Sequence, residues 1–392
     1  LKLQKSISEL YPPIYSEAEV PSYRLPEIGS PDLTRVQFED HVFGRLLIDP
    51  PEMKIEFFDE ENGAIEGLAT RRQLKVSLHN THGCFEFTIL IYTPNSPGPA
   101  PLFLGLNFLG NHTLHGDPAV VIPASPFPSV VGAGGPPSEV DRGSWADRWP
   151  LEVVLRRGYA VATVYCGDFA PDHPDHFKEG VLRLLPKPDD ETEENARGGV
   201  IAAWAWGLSR TLDAVLTLNQ IDRNRVAVIG HSRLGKAALW AGANDSRFSL
   251  VISNNSGAGG AALFRRRIGE RIVHLNGNFP HWFARAFHRY DEKEAELPVD
   301  QHQLLALISP RAVYVASAED DKWADPLGEY LALAAAAPAW NEELPRNSPA
   351  VNVPLQYGPL GYHVRSGTHN ILEYDWQQYL DFADRIWKKP VA

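Results

Sequence analysis

The sequence predicts an α/β chain in which a mostly parallel sheet carries helices on both faces, a three-layer αβα sandwich. Short apolar runs alternate with helix-forming segments from about residue 100 onward. The runs are apolar throughout instead of alternating with polar residues, the pattern of strands covered on both faces. One of them, Val226–Ile229, runs into Gly230-His231-Ser232 and then an Ala/Leu-rich helical stretch, a sharp strand-to-helix bend.

Taken in order, Leu1–Gly29 is proline-rich and reads as an arm wrapping the body, extending to about residue 70 of one catalytic domain over residues 1–392. Ser30-Pro31-Asp32 is a helix start, with serine as cap and proline at the first position, and predicts a helix through about Leu47. Leu74–Leu78 and Phe85–Tyr92 flank Asn80–Gly83 and read as a β-hairpin. Strands follow at Leu102–Phe108 and Tyr159–Tyr165, the second preceded by a helix near Trp145–Arg157. A long helix over Gly199–Leu218 leads to the Val226–Ile229 strand, and Leu250–Asn254 and Ala312–Ala316 are the next strands. A helix over about Asp375–Lys388 closes the chain. Gly110–Gly143 and Asp168–Asn195 are too irregular for scaffold and read as loops framing a site.

Composition narrows the function classes. The chain has 392 residues, 44% hydrophobic and 22% charged, ordinary for a globular protein, and no apolar run long enough to span a membrane. A net charge of −12 without a Lys/Arg block argues against nucleic acid as partner. Cys84 and Cys166 fit neither a zinc spacing nor a disulfide framework and are expected as buried free thiols. The only methionine is Met53, so the native start, with any signal peptide, is expected to have been removed. Most of the ten tryptophans and 13 tyrosines are expected in the core, with some available to line a carbohydrate cleft.

The bend at Ser232 carries the chemistry. A serine there is held at the top of the sheet with its hydroxyl exposed and helix N–H groups beside it, where it can attack an ester carbonyl. The usual pattern is G-x-S-x-G; here Leu234 takes the second glycine position and Gly235 follows it. Serine needs an imidazole to take its proton and a carboxylate to hold that imidazole. In α/β-hydrolases the chain order is nucleophile, acid, histidine. After the Ala312–Ala316 strand come Glu319, Asp320, Asp321 and Asp325, and before the closing helix comes His369, with His363 its nearest rival. An acidic turn without chemistry and a packed histidine are the alternatives at those positions.

These residues, with others, resemble the glucuronoyl esterases of carbohydrate esterase family 15, in their bacterial form. The resemblance rests on Gly230, Ser232, Arg233, Gly235 and Lys236, on Asn255–Gly260, Phe279–Phe283, Asp321 and Trp323, and on Arg365, Gly367, His369, Asp375 and Trp376. It runs from about Arg24 to the C-terminus. It implies an α/β-hydrolase fold and a serine esterase that cleaves the ester between 4-O-methyl-glucuronic acid of glucuronoxylan and lignin alcohols. Ser232 would be the nucleophile, His369 the base and Arg233 an oxyanion donor; Lys236, Glu270 and Trp323 would bind sugar hydroxyls. Many members place the acid as glutamate where this chain has Asn255, which implies Asp321 as the acid, with Asp320 and Glu319 behind it. Fungal members carry half-cystines where this chain has His231 and Asn370, so that bridge is absent. The resemblance also implies a secreted or periplasmic monomer without cofactor.

Three other readings remain at this level. An acetyl-xylan esterase or general carboxylesterase would keep fold and triad but change the acyl pocket. A carbohydrate-binding homologue without activity would follow from the missing glutamate. His112 with His115, and His173 with His176, form two H-x-x-H pairs, but they sit in loops without the helix that aligns metal ligands. Metal is therefore not expected. Arg265–Arg267 gives local positive charge that could attract uronate-bearing xylan, or be a solvated helix face.

Overall fold

The apolar runs pair as parallel strands at the centre of one ten-stranded sheet, ordered β1-β2-β3-β5-β4-β6-β7-β8-β10-β9. The computed structural model describes residues 6–49, 51–125 and 135–387. The strands are β1 (Glu52–Ala64), β2 (Ala69–Asn80), β3 (Gly83–Pro94), β4 (Ala100–Asn107), β5 (Ala160–Tyr165), β6 (Ile221–His231), β7 (Leu250–Asn254), β8 (Ala312–Ala318), β9 (Leu355–Tyr357) and β10 (Leu360–Arg365). The run β5-β4-β6-β7-β8-β10 is parallel, whereas β1, β2, β3 and β9 pair antiparallel. This is the α/β-hydrolase architecture that the element order predicts.

Both faces of the parallel strands are buried, which is why they read as unbroken apolar runs. On one face Leu102, Leu104, Val228, Val251 and Val315 meet Trp204, Leu208 and Leu239 from helices Val200–Val215 and Arg233–Asn244. On the other face Phe103, Val161, Ile229, Ile252 and Tyr314 meet Val154 and Leu155 of helix Leu151–Arg156 and Trp376, Tyr379 and Leu380 of helix Glu373–Ile386. The helix Val200–Val215 is buried nearly all round, so it is a core helix and not the surface amphipath of the usual α/β layer.

Several elements differ from the sequence expectation. The helix begun at Pro31 turns into a π-helical stretch, Glu39–Phe43, and stops at Gly44, whose φ is +77°, short of Leu47. The stretch to residue 70 contains β1, a mostly exposed edge strand that packs Met53 and Ile55 against the core. Strands β9 and β10 add a further antiparallel edge pair beyond β8. Cys166 is buried as expected, but Cys84 is exposed, because the outer end of β3 leaves one face to solvent. The end of the closing helix at Lys388, residues 126–134 of the Gly/Pro-rich stretch and residues 1–5 of the arm lie outside the described residues.

Candidate active site

The end of β6 and the start of the next helix form a bend tight enough to strain its serine. Ser232 has φ +57° and ψ −130°, backbone angles that a residue with a side chain rarely adopts and that cost about 1–3 kcal/mol. Two close approaches force the bend. A Cβ on Gly230 would lie 2.0 Å from the Leu234 carbonyl oxygen, and one on Gly235 would lie 3.0 Å from the Gly230 carbonyl oxygen. The displaced glycine of the motif therefore still supplies a close contact across the bend. The Ser232 N–H donates to the Asn254 carbonyl at 2.8 Å, tying the bend to β7.

The loop after β8 and the loop after β10 meet beside this bend. His369 Nδ1 donates to Asp321 Oδ2 at 2.5 Å, and the His369 ring lies 4.6 Å from that of His231, the residue before Ser232. A carboxylate only accepts, so Nδ1 carries the proton and Nε2 is the ring nitrogen left to face other groups. Asp321 is buried, whereas Glu319 and Asp320 are exposed; their N–H groups bond to Arg365 and Gly367 carbonyls. His363 is fully buried on β10, with Nε2 on Asp375 at 2.7 Å and Nδ1 on the Tyr314 hydroxyl at 3.0 Å. Both of its nitrogens are engaged in the core, away from base chemistry. Asn255 has φ +46° and donates Nδ2 to the Asn370 carbonyl at 3.2 Å. It lies against the His369 loop but offers no charge.

A buried arginine holds that loop in shape. Arg365 donates to the carbonyls of Ser366 at 2.9 Å, Thr368 at 3.0 Å and Asn370 at 2.6 Å, on both sides of His369. Asp375 pairs with Arg365 at 3.0 Å and accepts the Leu372 N–H at 2.7 Å, so loop and closing helix share one carboxylate.

His231 stays neutral at this site. Burial pushes its pKa well down, the neighbouring His369 adds to the shift, and a hydrogen bond to Asn254 Oδ1 at 2.6 Å only partly opposes them. Asn254 donates onward to the Tyr379 hydroxyl at 2.8 Å.

The sugar-binding candidates lie together. Glu270 N–H donates to the Trp323 carbonyl at 2.9 Å, so a buried carboxylate and a half-buried indole share one backbone contact. Lys236 sits inside this group, not at its surface: it is 3% exposed, and its ammonium donates to Ser256 O at 2.7 Å, Ala258 O at 2.5 Å and Glu270 Oε2 at 3.3 Å. Its three protons are therefore used within the protein, and burial lowers its pKa despite Glu270. The family resemblance implies sugar hydroxyls as its partners; in the structure it braces the turn after β7 and holds Glu270.

Arg233 lies across the stacked rings of Phe279 and Trp282, 5.1 and 4.6 Å from their centres, and pairs with the fully buried Asp172. Glu329, also fully buried, accepts the N–H groups of Ser256 at 2.8 Å and Gly257 at 2.9 Å and the Ser317 hydroxyl at 2.6 Å, and burial pushes its carboxyl up to about 8. The sequence gives no residue-level signal for Asp172 or Glu329; their partners are remote in sequence, and only the irregularity of Asp168–Asn195 marks the first.

The Arg265–Arg267 cluster is not a free basic patch. Arg265 pairs with Asp300, Arg266 with Asp325 and Glu17, and Arg267 with Glu292 and Glu294, because the short turn carrying them is packed into the body. His112 is buried with Nε2 donating to the Ser138 carbonyl at 2.9 Å. Among the described residues no cluster of three His, Cys, Asp or Glu is arranged to hold a metal. No helix among them is long and apolar enough to cross a membrane.

Known proteins resemble this chain in sequence and fold. Residues 192–343 match the family model described as glucuronyl esterase, fungi. Carbohydrate esterase MZ0003, from an unknown prokaryotic organism, is 41% identical over 396 residues, covering 94% of this chain and 91% of its own. The chain belongs to the glucuronoyl esterase family, carbohydrate esterase family 15. The solved glucuronoyl esterase from Solibacter usitatus is 39% identical, with a TM-score of 0.87 over 94% of this chain and 100% of its own. A promiscuous esterase of the same family from a marine bacterial metagenome is 40% identical with a TM-score of 0.87, covering 95% of this chain and 99% of its own. The 4-O-methyl-glucuronoyl methylesterase of Hypocrea jecorina is 35% identical over a shorter stretch, 42% of this chain and 36% of its own. This glucuronoyl esterase is thus a carboxylic ester hydrolase.

Proposed function

We propose that this glucuronoyl esterase hydrolyses the ester between 4-O-methyl-glucuronic acid of glucuronoxylan and lignin alcohols, through Ser232, His369 and Asp321. The observation that carries the reading is the Asp321–His369 pair beside the strained Ser232 bend. The named activity of the fungal relatives supports the uronate as acyl group. Such polymers lie outside the cell, so the enzyme works secreted or in the periplasm, as a monomer without cofactor.

His369 Nε2 takes the Ser232 proton as Oγ attacks C6 of the uronate. The electron pair of the C=O bond moves to oxygen, and this oxyanion meets the backbone N–H groups at the helix start and the Arg233 guanidinium. Fixed donors aimed at developing charge contribute about 3–4 kcal/mol each in such sites. The intermediate collapses, the C–O bond to the alcohol breaks, and the departing oxygen takes the proton from His369. Water, deprotonated by His369, then attacks the glucuronoyl ester of Ser232, and collapse returns the proton to Oγ. Trp323 and Glu270 hold the sugar by its face and hydroxyls, and Lys236 keeps the Glu270 carboxylate aimed.

Ser232→Ala tests this directly. It is expected to lose nearly all turnover of benzyl glucuronate and all labelling by a fluorophosphonate; wild-type turnover in that variant removes the reading. The promiscuity of the marine relative gives the broader carboxylesterase reading its one specific support. Faster cleavage of acetyl or butyryl esters than of methyl glucuronate would favour it.

A further inference from the structure

Arg233 is the first residue of the elbow helix, and its guanidinium has a fixed orientation that the elbow alone does not explain. Among the described residues it makes one hydrogen-bond contact, Nη1 to Asp172 Oδ2, and its buried Nε–H has no acceptor. Contact with the Trp282 and Phe279 rings, 4.6 and 5.1 Å from Cζ to their centres, places the group but does not by itself fix its rotation. Asp172 removes that freedom.

Asp172 is itself immobilised. Its Oδ1 accepts Trp282 Nε1 at 2.7 Å and His281 Nε2 at 2.8 Å, leaving Oδ2 to Arg233. The loop that delivers it is fixed by Trp204, fully buried, whose indole N–H donates to the Cys166 carbonyl at 2.9 Å and the Ala170 carbonyl at 3.1 Å. Burial alone would neutralise such a carboxyl; the hydrogen bond from His281 and the Arg233 charge outweigh it and hold the pKa below its ordinary value. A buried charge kept ionised by three donors, one of them a guanidinium at the nucleophile bend, is an expensive arrangement for packing alone.

We propose that Asp172 is a positioning residue for Arg233: by holding Nη1, it directs the remaining guanidinium N–H groups at the oxyanion formed on Ser232, with His281 and Trp282 fixing Asp172 in turn. This rests on the reading of Arg233 as an oxyanion donor. The pairing weakens the net positive charge near the oxyanion, so its benefit lies in direction: donors preset toward the developing charge need no reorganisation when it forms.

A double-mutant cycle separates this role from simple support. The kcat and KM for benzyl glucuronate are measured for wild type, Arg233→Met, Asp172→Asn and the double variant, with thermal unfolding as a folding control. Methionine keeps an apolar stem on the aromatic rings and removes the guanidinium. Expected are a loss of at least tenfold in kcat for Asp172→Asn with KM within twofold, a larger loss for Arg233→Met, and no further loss beyond twofold when Asp172→Asn is added to Arg233→Met. An equal fold-loss in both backgrounds, or wild-type kcat in Asp172→Asn, overturns the proposal while leaving Arg233 its role. Wild-type kcat in Arg233→Met instead overturns the reading of Arg233, and this proposal with it. Should Asp172→Asn fail to fold, Trp282→Phe removes one of the donors to Oδ1 and keeps a ring. It is expected to lower kcat about fivefold with Arg233 present and not at all in Arg233→Met, and equal losses overturn the proposal.

Discussion

Replacing Asp321 by Asn keeps the shape of the side chain and removes the charge opposite His369. Contact at 2.5 Å between Oδ2 and Nδ1 puts the charge centres of carboxylate and imidazolium about 4 Å apart, where two unit charges interact by about 4 kcal/mol at an effective dielectric near 20 and about 1 kcal/mol in water. The His369 side chain is 43% exposed and that of Asp321 5%, so the value lies between, about 2–3 kcal/mol. That corresponds to roughly a 30- to 150-fold loss in kcat/KM. The amide also presents an N–H that favours the wrong His369 tautomer, so the loss is at least this large. Glu319 and Asp320 cannot substitute, because they are exposed and held by their backbone to the strand pair. The assay is release of alcohol from benzyl glucuronate between pH 6 and 8, with thermal unfolding to confirm the fold. Less than a threefold loss in folded Asp321→Asn would refute the electrostatic argument. Adding Asn255→Glu to that variant restores part of the activity, because position 255 already touches the His369 loop.

Further outcomes follow from the packing. Gly230→Ala drives a methyl group into the Leu234 carbonyl, 2.0 Å away, and lowers stability by about 2 kcal/mol or more, read as a shift in urea midpoint. Arg365→Met leaves Asp375 buried without its cation and frees the His369 loop; stability falls by about 3–5 kcal/mol and kcat falls with it, measured by denaturant unfolding and single-turnover kinetics. For Glu329 the folded pKa of about 8 lies above the ordinary 4.5, so the folded state holds a proton the unfolded chain has lost, and this group subtracts stability as pH rises between those values. Glu329→Gln removes that slope, so from pH 5 to pH 8 its stability relative to wild type should improve, on the order of 3 kcal/mol; parallel urea curves at the two pH values check it.

The centre of the fold was legible because parallel strands covered on both faces are apolar without interruption, as in Leu102–Leu104 and Ala312–Val315. Edge strands were not. β1 is mostly exposed and carries Glu, Lys and Asp, and β10 hides His363 and Arg365 in its buried register, so both read as polar segments. The Ser232 bend and the proposed acid and histidine, Asp321 and His369, could be read because they sit at strand ends, where a short local pattern suffices. The supporting carboxylates could not. Asp172 meets Arg233, and Glu329 meets the Ser256–Gly257 turn, only through folding, and neither has a neighbour in sequence that announces its partner. The same blindness applies to Arg265–Arg267, whose charges are cancelled by acids from distant segments.

The His369 loop is fastened by three N–H···O contacts from a single guanidinium and by no sulfur bond. Such a fastening forms and reforms with the fold itself, needing neither an oxidant nor an isomerase. His369 should therefore keep its station in thiol-rich, reducing surroundings as well as in air, a tolerance that a cystine-tethered loop would lack.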